Sequence, residues 1–282
     1  MTKFDWENEN GEQWLARVRD WEAMLKPIDA PIMSWTRAHL GSERRDLPLR
    51  VADMACGGGG TTFALESLLP ESAVLHGFDI SHAMVDVTQV KAQERGSRAK
   101  FFQVDLQTSK PPKETYDVLV SRFGTMFFLD PALSFKNIHK WLAPKGKFLF
   151  AVWGDLQQNP WSNVILDVAR RFVDIPAPEP DKPGPFRYAD LDLMLPLLKG
   201  AGFQNIQTEK WRGKLRMGGG MNVDTAADFA ANEFAASDSL RKAGELAFSQ
   251  AKGAMAEALS QYEVDGVVMM DAFVHLVSGS AD

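Results

Sequence analysis

The run Val51-Ala52-Asp53-Met54-Ala55-Cys56-Gly57-Gly58-Gly59-Gly60 places an apolar stretch, a carboxylate and four consecutive glycines side by side. Glycine lets a backbone turn with positive φ and lets a ligand approach closely. A helix opening at Gly60 would offer free N–H groups and the positive end of its dipole. Together these make a nucleotide-type site at the end of a strand. A glycine run alone is equally the signature of a flexible loop, so its company decides. Asp79 closes the apolar segment 73–79, where a carboxylate can take two ribose hydroxyls. Asp105 closes segment 100–105, where it can accept from an adenine amino group. Ser121-Arg122-Phe123-Gly124 follows segment 116–121, beside the reacting end of such a ligand.

These residues need strands to carry them to one rim. Residues 49–55, 73–79, 100–105, 116–121 and 147–153 read as strands. Helix-length segments separate them: 60–69, a helix capped by Ser81 and running to Gly96, and one opened by Asp130-Pro131 and closed by Pro144-Lys145-Gly146. Strands alternating with helices predict a parallel sheet covered on both faces. Before them, Trp14, Val18, Trp21 and Leu25 predict a helix over 8–25, ended by Pro27. A second helix spans 31–41, stopped at Gly41, and a charged stretch, 42–46, leads into the first strand. Beyond Gly154, Asn159-Pro160-Trp161 opens a helix, and prolines 176, 178, 180, 183 and 185 exclude regular structure. Residues 188–200 read as helix, 203–211 as a sixth strand, 217–220 as a break, 224–260 as helical and 266–277 as a seventh strand. The fold class expected is α/β, doubly wound, with a mostly parallel seven-stranded sheet.

Bulk composition narrows the function. The chain has 282 residues, 45% of them hydrophobic, and a net charge of −6. An acidic chain without a long Lys/Arg run is poorly suited to tracking nucleic-acid phosphates. One cysteine, Cys56, excludes an internal disulfide and fits a reducing compartment. The first residues have no apolar signal core, and no stretch approaches 18 uninterrupted apolar residues, so a cytoplasmic location is expected. No His, Cys, Asp or Glu set has metal-ligand spacing, so no metal is expected.

The motifs resemble those of the class I S-adenosylmethionine-dependent methyltransferases, in particular a bacterial subgroup acting on small molecules. Asp53-Met54-Ala55-Cys56-Gly57-Gly58-Gly59 is similar to the family's glycine motif, with Ala55 where the first glycine is usual. Asp79-Ile80-Ser81 with Met84, Val104-Asp105-Leu106 and residues 121–128 resemble the next three motifs. Residues 141–147, Ala151-Val152-Trp153-Gly154, Asn159-Pro160-Trp161 and Pro183-Gly184-Pro185-Phe186 match too, whereas the last sixty residues match poorly. The resemblance implies a Rossmann-like methyltransferase domain over 47–282, with a helical, proline-rich cap insertion near 155–200 and a helical segment near 221–262. It implies an N-terminal helical lid over 1–46, from which Trp14 or Arg17 would reach the cofactor's carboxylate. It implies S-adenosylmethionine held by Asp53, Ala55, Cys56, Gly57, Gly59, Asp79, Ile80, Met84, Asp105, Leu106, Ser121 and Phe123. Phe127, Trp153, Trp161 and Phe186 would line the acceptor pocket. Ala55 is expected to narrow the space for the cofactor's amino-acid end.

The reaction implied is methyl transfer to a small organic molecule by in-line displacement. Because the sulfonium methyl is already activated, a base is needed only for a protonated acceptor of high pKa. His275 is the histidine to test as a base; His39 reads as surface, His76 and His139 as packed, and His82 as solvent-facing. Two other readings share the glycine turn. An NAD-dependent oxidoreductase needs glycine at the first, third and sixth positions, but from Gly57 the sixth is Thr62. A non-catalytic S-adenosylmethionine-binding protein would bind without turnover. Partners expected are a small-molecule substrate, no nucleic acid and no membrane, in a monomer or homodimer.

Overall fold

The computed structural model describes residues 5–40, 48–175, 179 and 181–282. The glycine turn is carried by β1 (Arg50–Met54), which pairs in parallel with β2 (Val74–Asp79) and with β4 (Tyr116–Arg122). β3 (Lys100–Gln103) continues the parallel sheet beyond β2, and β5 (Leu142–Trp153) continues it beyond β4. β8 (Val267–Ser280) then lies antiparallel to β5, and β6 (Gln204–Arg216) lies antiparallel to β8. The order is β3-β2-β1-β4-β5-β8-β6, and the two-residue β7 (Glu263–Val264) pairs only with β8. Only β8 runs against the rest of this seven-strand path. Val51, Leu119, Val120, Phe148 and Phe150 are completely buried, as central strands covered on both faces require.

Local chemistry sets the helix boundaries. The Ser81 hydroxyl accepts from Met84 N–H and caps α5 (His82–Glu94). Asp130 accepts from Leu133 N–H and caps α6 (Pro131–His139), with Pro131 in the first turn. α4 (Gly60–Leu68) opens from Gly59 at φ +79, and α7 (Pro160–Ala169) opens from Asn159.

Several boundaries differ from expectation. The first helix divides at Arg17 (φ −124) into α1 (Glu9–Ala16) and α2 (Val18–Leu25). Pro27 does not end the helical path: it occupies the first turn of a 3₁₀ segment, Lys26–Ile28, where its missing N–H costs nothing, and α3 (Asp29–His39) follows directly. The 131–139 helix stops before Pro144, and β5 begins at Leu142, with Lys145 at φ +61 inside an irregular stretch. Segment 188–200 is a short 3₁₀ turn and α8 (Leu195–Ala201). β6 and β8 run longer than expected because they pair with each other from Gln204/Ser280 to Arg216/Met269. The 224–260 region is three helices, α9 (Val223–Glu233), α10 (Ser237–Lys242) and α11 (Glu245–Ser260), with Gly244 at φ +95 between the last two. Gly41, the stretch 42–46 and prolines 176, 178 and 180 lie outside the described residues.

Candidate functional site

Parallel strands bring their carboxyl ends to one edge, so the β1 turn, Asp79 and Arg122 share a rim. Ala55 and Gly57 both have positive φ, +56 and +52. Cys56 N–H donates to Phe78 O, and Gly59 N–H donates to Cys56 O, which closes the turn. The Cys56 thiol is buried, and burial together with Asp79 and Asp53 pushes its pKa up, so it is not a nucleophile. A Cβ built on Gly57 would meet nothing closer than ordinary contact, with Trp14 Nε1 at 3.8 Å and Glu22 Oε1 at 4.0 Å.

Asp79 is the centre of the rim. One oxygen accepts from Gly57 N–H at 2.8 Å, the other from Ser81 N–H at 3.0 Å. The carboxyl is buried, and burial raises its pKa against those backbone bonds. Among the described residues no cation pairs with it, so it retains capacity for hydroxyl donors. Ile80 O accepts from Gln103, and Met84 is buried beside the cap. Asp105 lies just past β3 and is engaged by its own loop: it accepts from Gln107 N–H and from the Thr108 hydroxyl. Leu106 O accepts from Asn137 Nδ2. The Ser121 hydroxyl, at the end of β4, is buried without a hydrogen-bond partner.

Asp53 faces α4. Its carboxylate accepts from the Thr62 hydroxyl at 2.6 Å. Burial raises its pKa to about 7, against that bond and the nearby Arg122. Thr62 is the position where a dinucleotide fingerprint needs glycine, and here its side chain fastens the helix to the strand. Arg122 reaches from β4 to two acids of the N-terminal helices: Glu22 of α2 at 2.5 Å and Asp29 of α3 at 3.1 Å. Thr61 also donates to Asp29 at 2.8 Å. Burial opposes the Arg122 charge, but Glu22 and Asp29 outweigh it and hold the guanidinium protonated. Sequence patterning placed Arg122 at the rim but missed its partners Glu22 and Asp29, since charges on a helix read as solvent-facing.

Aromatic rings wall the rim. Phe123, at φ +65, stacks on Trp153 at 4.0 Å, and Trp153 meets Trp161 at 4.7 Å. Trp161 meets Phe186 and Phe234, so the loop before α8 and the end of α9 join the same wall. Phe127 meets Trp6 at 4.8 Å, and Trp14 stacks on Trp21 at 4.7 Å. The N-terminal segment therefore reaches the rim through Trp6, in the turn before α1, and Trp14, and α1 lies so close to α5 that a Cβ on Gly11 would come within 2.5 Å of Ser81 Oγ. Arg17 does not reach the rim: it pairs with Asp20 and sits over Phe229.

Asn159 fixes the far end of the wall. Its amide donates to Gly154 O, Asp155 O and Phe273 O, and its carbonyl accepts from Phe273 N–H and Trp161 Nε1. The sequence marked it only as a helix start. His275 faces away from Val274, the partner of Trp153, and contacts Ala189 O at 3.2 Å. Its burial lowers its pKa. His76 bonds Tyr116, His82 pairs with Asp86 at the surface, and His139 packs on Phe203. Among the described residues no group of three or more His, Cys, Asp or Glu could hold a metal.

This geometry can be set beside known proteins. The family model described as a methyltransferase domain matches residues 51–146, from the first strand into the start of β5. The chain is similar to phosphoethanolamine N-methyltransferase 1 of Triticum aestivum, 26% identical over 162 residues, which are 57% of this chain and 29% of that protein. It is also similar to malonyl-[acyl-carrier protein] O-methyltransferase of Halalkalibacterium halodurans, 27% identical over 115 residues, or 40% and 42% of the two chains. The chain thus spans under half the length of these relatives. The whole fold is like that of the YcgJ protein from Bacillus subtilis, at TM-score 0.56 and 16% identity, covering 88% of this chain and 97% of that one. The rim thus carries a buried carboxylate that pairs with no cation among the described residues and a buried Ser121 hydroxyl without a hydrogen-bond partner.

Proposed function

We propose that the protein is a cytoplasmic S-adenosylmethionine-dependent methyltransferase that acts on a small organic acceptor. The observation that carries this reading is Asp79: a buried carboxylate at the end of β2, tied to the glycine turn and free of any cation among the described residues. Such a group binds two neighbouring hydroxyls by charge-assisted hydrogen bonds. The cofactor, when bound, supplies a sulfonium methyl already activated for transfer. The chain's own part is to bind, align and exclude water. Asp79 and Ile80 would grip the ribose side, Met84, Asp105 and Leu106 the adenine side, and residues 53–59 with Ser121 and Phe123 the amino-acid end.

Phe127, Trp153, Trp161 and Phe186 would line the acceptor side. Their faces would stabilise positive charge by about 0.5–2 kcal/mol. Alignment of an acceptor against the methyl accounts for roughly 7–11 kcal/mol in favourable cases. Residues 1–46 would act as a lid, and 155–200 with 221–262 as a cap on the domain over 47–282. The two relatives named above are an N- and an O-methyltransferase of unlike acceptors, so the reading stops at a small organic molecule. The aromatic wall of the rim supports a small-molecule partner; the reading takes no nucleic acid or membrane as partner and a monomer or homodimer as the assembly. No helix among the described residues is long and apolar enough to cross a membrane.

Calorimetric titration with S-adenosylhomocysteine and with NADH tests the reading. Binding of S-adenosylhomocysteine without NADH is expected. Binding of NADH alone would overturn it.

A further inference from the structure

We propose that Arg122 is the receptor for the carboxylate of the adenosyl amino acid, and that Glu22 is a built-in competitor for the same guanidinium. The inference rests on the adenosyl reading above and adds a residue pair to it.

Three observations carry it. First, the Glu22 carboxylate lies along the glycine turn. It is 4.0 Å from a Cβ built on Gly57 and 3.3 Å from one built on Gly58, and one on Gly60 would collide with it. A ligand gripped by Asp79 and reaching towards Ser121 must lay its amino-acid end along that same turn. Glu22 and the amino-acid end share a chemistry, a carboxylate on a short aliphatic arm. Second, Arg122 is over-supplied with acid. Glu22 and Asp29 both pair with one buried guanidinium, the charge of Asp53 acts on it as well, and burial raises the pKa of both Asp53 and Asp29. Exchanging one carboxylate for another leaves that balance unchanged, whereas adding a fourth would worsen it. Third, Glu22 is the exchangeable member. Its only side-chain hydrogen bond among the described residues is to Arg122, whereas Asp29 is also held by Thr61 and Asp53 is held by Thr62. Glu22 is carried on α2, outside the sheet. Ligand entry therefore breaks the Glu22–Arg122 pair and makes a new one to the ligand, and the lid loses its Glu22 ion pair to β4.

The test compares three ligands by calorimetry on the full chain: S-adenosylhomocysteine, its decarboxylated analogue and 5′-methylthioadenosine. Glu22→Gln removes the competing charge at nearly constant shape. Glu22→Asp, which shortens the arm so that it no longer reaches Arg122, serves if the first variant melts early. Either variant is expected to bind S-adenosylhomocysteine about tenfold more tightly, with the other two ligands unchanged. Weaker binding of both ligands that keep the amino group would mean that Glu22 holds the ammonium, and would overturn the proposal. Equal tightening of all three, or no change in any, would overturn it as well. Wild-type protein that binds none of the three would overturn the adenosyl reading itself.

Discussion

The methyl of Ala55 occupies the place where a side chain on Gly124 would have to go. The two residues follow β1 and β4, neighbouring strands whose ends meet at the rim. Ala55 takes a left-handed conformation at φ +56. Its side chain is accommodated by the absence of one opposite, and the narrowing expected at the turn is directed against Gly124.

Gly124→Ala is therefore expected to destabilise the protein by about 1–3 kcal/mol through overpacking. Ala55→Gly alone relieves backbone strain of about 1 kcal/mol but gains chain entropy in the unfolded state, so its net effect is small. The double variant should recover most of the loss. Denaturant unfolding of all four proteins gives the cycle, and additive effects would show that the two residues do not touch.

Asp79→Asn keeps the shape of the side chain and removes its charge. Affinity for S-adenosylhomocysteine should fall by about 10- to 100-fold, as expected for loss of charge-assisted hydrogen bonds. Asp79→Ala should lose more, because Gly57 N–H and Ser81 N–H lose their acceptor too. Calorimetry measures the first effect and a thermal melt the second. Unchanged affinity in Asp79→Asn would remove the ribose role.

Asp53 gives stability a pH dependence. Its carboxyl titrates near 7 in the fold, against an ordinary value of 3.8. Between these values the folded protein holds the proton more than the unfolded chain does. Stability therefore falls as pH rises from about 4 to about 7, by at most about 1.4 kcal/mol per unit, and is flat on either side. Asp53→Asn, which keeps an acceptor for Thr62, should lack that slope. Urea titrations of both proteins at pH 4 to 8 measure the difference.

Asn159→Ala removes both donors and acceptor from a buried clasp. Phe273 N–H and Trp161 Nε1 would be left without partners. A loss of about 3 kcal/mol or more is expected in denaturant unfolding, with Trp161 fluorescence reporting the loosened wall.

His275→Gln should leave S-adenosylhomocysteine affinity unchanged and cost about 1 kcal/mol of stability, because the ring packs against Ala189 on the side of β8 away from Val274. Once an acceptor is found, a large fall in kcat with a changed pH profile would restore the residue as a base.

The sequence by itself determined the order of strands and helices, because period, capping and proline position act over a few residues. Ser81 and Asp130 cap the helices expected of them, and Asp79 ends the strand expected of it. It also determined the glycine turn, whose conformational needs are local. Tertiary structure alone decided which groups meet. Glu22 and Arg122 are 100 residues apart, Asp29 and Arg122 are 93, and Asn159 and Phe273 are 114. No local period encodes such pairs: Glu22 on its helix has the pattern of a solvated charge until β4 brings a guanidinium beneath it. The face taken by His275 likewise depended on the register of β8 against β5, where a slip of one residue would turn the ring to the other side.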